Sequence, residues 1–312
     1  MILKGSVTGG YINIDRKVRF RESVLAKAIN ANPWGTARYV DASDGSAAFN
    51  GLTPDKAHAT IAAAVALAGR GDTIYIRPKP YVIGTGFGRY TEDVVTALIQ
   101  SDLSIIGVIN TINPQFGVRW KFATAQCLDN WAPGLHLENL GFFAEDATYG
   151  VLLTNDGASD LKRGSDGATI YNCDFKGKGL YVLSGGTGLT VERTRFTPKY
   201  SGAQCILLFS CSANPGRHLH VRDCEWFDAN GGQADVAGIQ IPAPATEILI
   251  RDCHFGLKPA SGVYIDTNGD NYGMISNCYF NEADLDTDAE ILLGTGVKAV
   301  GCYDQAGIAT TA

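Results

Sequence analysis

A six-residue phrase recurs from about residue 103 onward, and it leaves few folds open to this chain. It reads apolar, any, turn residue, small apolar, any, aromatic. The clearest copies are Ile170-Tyr171-Asn172-Cys173-Asp174-Phe175, Val221-Arg222-Asp223-Cys224-Glu225-Trp226, Ile250-Arg251-Asp252-Cys253-His254-Phe255 and Ile275-Ser276-Asn277-Cys278-Tyr279-Phe280. Weaker copies are Leu137-Glu138-Asn139-Leu140-Gly141-Phe142 and Val191-Glu192-Arg193-Thr194-Arg195-Phe196, and worn ones sit at Ile105 to Val108 and Ala299 to Tyr303. The fourth positions are Val108, Leu140, Cys173, Thr194, Cys224, Cys253, Cys278 and Cys302, spaced by 32, 33, 21, 30, 29, 25 and 24 residues. A period of roughly 20 to 35 residues marks a solenoid, whose units bury their apolar faces only against their neighbours.

The third position is Gly107, Asn139, Asn172, Arg193, Asp223, Asp252, Asn277 and Gly301. Asn, Asp and Gly are the residues that tolerate positive φ. The pattern therefore predicts a one-residue left-handed bend there. The bend resets the strand alternation, so positions one, four and six all point inward. A second apolar run follows each phrase: Leu180 to Leu183, Ile206 to Phe209, Gly238 to Ile241, Val263 to Ile265 and Ile291 to Leu293. Each coil thus holds three short strands. The expected fold is all-β: a single-stranded, right-handed parallel β-helix of about eight to nine coils over residues 36–304. The phrase resembles the pectate-lyase-like superfamily of that fold.

Residues 1–35 lack the repeat and read as an N-terminal arm that docks onto a partner or covers the bottom of the solenoid. Within it, Tyr11 to Ile14 and Val18 to Phe20 alternate like edge strands, and Ser23 to Asn30 suits two helical turns. After Asn50-Gly51-Leu52-Thr53-Pro54 comes an Ala-rich helix, Ala59 to Ala68, with Ile61, Val65 and Ala68 on one face. Thr60 or Thr53 is its expected cap, and Gly69 and Gly71 end it. Such a helix would cap the first coil. The order Asp-Gly, Gly-x-Thr-Pro, Ala-rich helix, Gly-Asp-Thr-Ile, Pro-x-x-Tyr resembles the opening of many β-helix proteins, among them bacteriophage surface proteins and carbohydrate-active enzymes. Residues 82–96 and 110–134, the latter with Phe116, Trp120 and Trp131, read as long loops, and 305–312 as a C-terminal tail.

Charge and hydropathy narrow the partners. A net charge of −6 argues against nucleic acid and anionic membrane. No window approaches eighteen unbroken apolar residues, the length a membrane span needs. The N-terminus lacks the apolar core of a secretory signal.

Of the eight cysteines, Cys173, Cys224, Cys253, Cys278 and Cys302 share one inward repeat position. They read as a ladder of small buried hydrophobes or as a disulfide framework. Cys205 and Cys211 fall outside the ladder. No CxxC pair supports a zinc site. Two acidic clusters suit a hard cation such as calcium: Asp266, Asn268 and Asp270, and Asp284, Asp286 and Asp288. Turns and a solvated loop explain them equally well. No other cofactor is expected. His136, His220 and His254 are expected to face outward, as are Tyr171, Tyr181, Tyr264 and Tyr279, which could stack on sugars or form outward ladders.

The strings that hydrolases of the superfamily use (Asn-Thr-Asp, Asp-Asp, Gly-His-Gly, Arg-Ile-Lys) are missing, and no catalytic residue is assigned. A shared fold does not carry a shared reaction. The phage-like opening and the docking-like ends imply a non-catalytic virion protein, a capsid decoration, fibre or spike component. It would be trimeric and assembled in the host cytoplasm. It would contact other virion proteins through the arm and could also bind a polysaccharide. The rival is a polysaccharide lyase or glycoside hydrolase with a divergent site. A groove along one sheet lined by acids and aromatics would favour the rival. A flat polar sheet with an apolar patch near the termini would favour assembly.

Overall fold

The computed structural model describes residues 4–7, 10–13, 35–82, 86–98, 100–108, 117–124, 126–144, 149–154, 166–182, 188–197, 206–208, 216–227, 238–241, 245–256, 263–267, 269–281 and 291–304. Among them, three parallel sheets of ten, nine and eight strands run the length of the molecule. The first runs from Ala37–Val40 to Gly296–Val300, the second from Tyr90–Thr91 to Tyr303–Asp304, and the third from Val94–Leu98 to Ile291–Leu292. Each coil adds one strand to each sheet, and the nine and eight rungs match the expected coil number. The fold is a parallel β-helix.

The bend forms where the sequence places it. Asn139, Asn172, Arg193, Asp223, Asp252, Asn277 and Gly301 all have φ between 49° and 62°. Position four explains its own residue choice. The thiols of Cys173, Cys224, Cys253 and Cys278 reach back across the bend to the carbonyl of position two, at 3.4, 3.2, 3.1 and 3.3 Å. Thr194 does the same with its hydroxyl, at 3.0 Å to Glu192 O. That carbonyl already accepts the backbone N–H of the preceding coil's bend residue, as Tyr171 O does from Asn139 at 3.2 Å and Arg251 O from Asp223 at 3.3 Å; the thiol or hydroxyl adds a second donor on its other lone pair. The six described cysteines are free thiols, all buried. The sixth is Cys127, which lies inside the third sheet, off the ladder.

Gly107 and Val108 depart from the pattern. Gly107 keeps ordinary strand geometry, and Val108 is half-exposed rather than inward. A Cβ on Gly107 would stand 2.2 Å from the Asn139 carbonyl oxygen, so close approach of the next coil, not a bend, demands glycine. The bend thus begins one coil later than the phrase suggests.

Inside, the columns are nearly uniform. The first sheet contributes Ile74, Ile105, Leu137, Ile170, Val191, Val221, Ile250, Ile275 and Ala299. The second contributes rings: Trp120, Phe142, Phe175, Phe196, Trp226, Phe255 and Phe280 stack at centroid distances of 4.2 to 5.8 Å. Strand spacing of about 4.8 Å sets that repeat. Trp120 therefore sits in the strand Val118–Lys121, fully buried, and not in a long loop. Tyr264 is also buried, against the expectation of exposure. Its ring meets Phe255 and Phe280 edge-on and its hydroxyl donates to the Asn281 carbonyl.

Each ladder is polar at one end. Arg38 stands in register with Ile74 and pairs with Asp72 at 3.0 Å, and Asp304 stands in register with Phe280. The helix Ile61–Leu67 packs Ile61, Ala64 and Val65 inward, and Thr60 Oγ1 caps it at the Ala63 N–H, 3.2 Å. The Glu92 carboxylate takes the N–H groups of Ile61 and Ala62 at 3.0 and 2.8 Å, tying the helix to the coil above. Within the arm, Lys4–Val7 and Gly10–Asn13 form an antiparallel pair. The strand expected at Val18 to Phe20, the helix at Ser23 to Asn30 and the tail 305–312 lie outside the described residues.

Candidate functional site

Position two of the repeat points out of the first sheet. Read coil by coil, it forms one column: Tyr39, Tyr75, Ile106, Glu138, Tyr171, Glu192, Arg222 and Arg251. Parallel register fixes that column, because strands that bury one face must present every second residue on the other. A second outward column beside it holds His136, Thr169, Thr190 and His220.

The middle of the face carries two carboxylates. Glu138 is 5% exposed; its Oε2 lies 3.1 Å from His136 Nε2, and its Oε1 accepts from Asn139 at 3.4 Å. Glu192 accepts from Arg222 at 2.6 Å, and that hydrogen bond raises the Arg222 pKa. Tyr171 stands between them in register. Arg193 donates to its hydroxyl at 3.0 Å and lies 5.8 Å from its ring centre. Two strand spacings separate Glu138 from Glu192, roughly 9.5 Å at the backbone.

A cavity flanks the column at each end. At the foot, about 610 Å³ is lined by Tyr39, Tyr75, Arg77, Lys79 and Val108 among others. Tyr39 and Tyr75 stack there at 5.7 Å. Burial, then Tyr39 and Glu138, raise the Tyr75 phenol pKa. Asp41 in the same wall binds Arg77 at 2.6 Å. Further along, a smaller cavity of about 180 Å³ lies among Thr190, His220, Arg222 and Arg251. The outer face of this sheet thus carries acids, bases and aromatics in register, with a cavity on either side of the Glu138–Glu192 stretch.

The other candidates fall elsewhere. Asp266 lies on the outer face of the third sheet, and Asp270 follows the bend at Gly269. Asn268, Asp284, Asp286 and Asp288 lie outside the described residues. Among the described residues, no three His, Cys, Asp or Glu come together as a metal site would need. The turn after Asp266 is held by buried Asn271, which accepts from Ala245 N–H at 2.7 Å and donates to the Thr267 carbonyl at 2.8 Å. His136 and His220 face outward on the first sheet, and exposed His254 lies against Tyr279 on the second sheet. The sequence reading missed Glu138 and Glu192 because position two of the phrase is free. Stacking the copies and reading down that position would have found them.

A scan of family models finds no match, and a search of curated proteins finds none either. Among solved structures the chain is similar to a GH136 lacto-N-biosidase from Eubacterium ramulus, at 15% identity and a TM-score of 0.29, over 88% of this chain and 69% of that one. Nothing in these comparisons supports the bacteriophage resemblance of the opening.

Proposed function

We propose that this chain is a carbohydrate-active β-helix of the glycoside hydrolase class. A glycan lies along the first sheet, its sugars resting on Tyr39, Tyr75 and Tyr171, with the scissile bond between Glu138 and Glu192. The observation that carries this reading is the register of those two carboxylates, two strands apart with an aromatic between. A spacing of roughly 6.5 to 9.5 Å leaves room for a water beside the sugar, as inverting hydrolysis requires. Glu192 takes the water's proton as the water attacks the anomeric carbon. Glu138 protonates the departing glycosidic oxygen as its bond to that carbon breaks; Glu192 then releases its proton to solvent, and His136 relays one from solvent back to Glu138. The test is incubation with a panel of neutral and acidic polysaccharides, reading new reducing ends. Release of reducing ends supports the reading. No release, or an unsaturated product absorbing in the ultraviolet as a lyase gives, overturns it.

A second reading, a structural component of a virus particle, requires contact with further copies, and one observation bears on such contact. Tyr272, Met274 and Val300 on the first sheet and Tyr279 and Tyr303 on the second are exposed at the last coils. An apolar group of that kind suits contact with further copies. Solution mass with and without residues 1–35 tests it: a trimer, or assembly that needs the arm, supports it, and a monomer indifferent to the truncation does not.

A further inference from the structure

The third sheet carries another cluster on its outer face. In the strand Gln126–Asn130, Leu128 and Asn130 are buried and Asp129 points out, partly covered. Trp131 Nε1 donates to Asp129 Oδ1 at 3.0 Å. Leu152 holds the same column one strand on, and Tyr181 the strand after that. Tyr149 lays its ring on Tyr181, with centroids 3.9 Å apart and planes 22° apart. Asp129 and Tyr181 therefore stand two strand spacings apart, about 9.5 Å at the backbone, over a floor made by Leu152.

We propose that this face is a second carbohydrate site, separate from the Glu138 face, which seats one pyranose ring of a neutral glycan between the Asp129 carboxylate and the Tyr149–Tyr181 pair. Tyrosine and tryptophan rings offer a flat apolar face with a polar edge, the counterpart of a pyranose with C–H groups on its face and hydroxyls at its rim. A carboxylate accepts two such hydroxyls, and the Trp131 N–H fixes its direction. Asp129 is short of solvent: burial raises its pKa to about 6, while the Trp131 hydrogen bond works the other way. Sugar hydroxyls would supply the donors that water no longer supplies. The Asp129 carboxylate repels a second carboxylate, so the site disfavours an acidic sugar.

The test is calorimetric titration of cellohexaose, maltohexaose and chitohexaose, with hexagalacturonate as the acidic control. The wild type, Asp129→Asn and Tyr181→Ala are compared, each also in the Glu138→Gln background. Asp129→Asn is isosteric, so its fold is secure, and near-ultraviolet dichroism checks Tyr181→Ala. The expected result is saturable binding of at least one neutral hexasaccharide, weakened tenfold or more by Asp129→Asn and by Tyr181→Ala, in the wild type and in the Glu138→Gln background alike. No saturable binding of any neutral probe overturns the site. So does binding that survives Asp129→Asn within twofold, tighter binding of hexagalacturonate, or binding abolished by Glu138→Gln alone. None of these outcomes depends on hydrolysis at the first sheet.

Discussion

The side chain of Asn172 donates to Oδ1 of Asn139, one coil away, at 2.6 Å, and both residues hold positive φ. Asn139 in turn donates to the Gly107 carbonyl at 3.3 Å. Asparagine therefore serves twice at the bend: its backbone accepts the left-handed turn, and its amide links successive coils. Asn172→Ala loses both and should destabilise by about 1–3 kcal/mol, whereas Asn172→Gly keeps the turn and should cost less. Urea unfolding of the two variants measures the difference.

The thiol at position four makes a similar point. Cys253 Sγ donates to the Arg251 carbonyl at 3.1 Å in a fully packed interior. Cys253→Ala removes the donor and leaves a small void, for an expected loss of about 1–2 kcal/mol. Cys253→Thr restores a donor of the kind Thr194 already provides and should stay within about 1 kcal/mol of wild type. Thermal melts under reducing conditions separate the two. The Cys173 thiol should resist alkylation in the native state, since burial pushes it up to about 12.

Asp129 makes stability depend on pH in an unusual direction for a carboxylate. Burial raises its folded pKa to about 6. Between its unfolded value near 4 and that figure, the native state binds more protons than the unfolded state. Stability is therefore greater at the acid end of this window and falls as pH rises through it. Allowing for solvent screening of a partly exposed group, the difference is about 1–2 kcal/mol. Asp129→Asn should be more stable than wild type at pH 7 by a similar amount and should flatten the window. Denaturant midpoints at pH 4.5 and 7 check both.

If Glu138 and Glu192 act from two strand spacings apart, hydrolysis inverts the anomeric centre. Proton NMR of the first product formed shows the anomer before it equilibrates. Retention would require carboxylates about 5 Å apart, close to a single strand spacing, and would move the chemistry off this pair.

Much of the fold is written in the phrase itself. The bend at Asn172 or Asp252 is legible because few residue types accept positive φ, and Phe175 or Phe255 is legible as core because the bend fixes which residue turns inward. Gly107 misleads because glycine answers two demands, a bend or a close approach, and the letter is the same for both. Tyr264 misleads because strand alternation does not predict a side chain that folds into the corner between two sheets. The site was less legible. Glu138, Tyr171 and Glu192 lie 33 and 21 residues apart in sequence and become neighbours only through the register of three strands. Asp129 and Trp131 are near in sequence, but their tie to Tyr149 and Tyr181 depends on a sheet the phrase does not cover.

The most direct test of the central claim compares reducing-end release by wild type and Glu192→Gln on the same polysaccharide, with hexasaccharide binding measured in parallel. The account predicts measurable release by wild type, a loss of about 10²–10⁴-fold in Glu192→Gln, and binding within twofold. Full activity in Glu192→Gln, or no release by wild type from any polysaccharide of the panel, would contradict it.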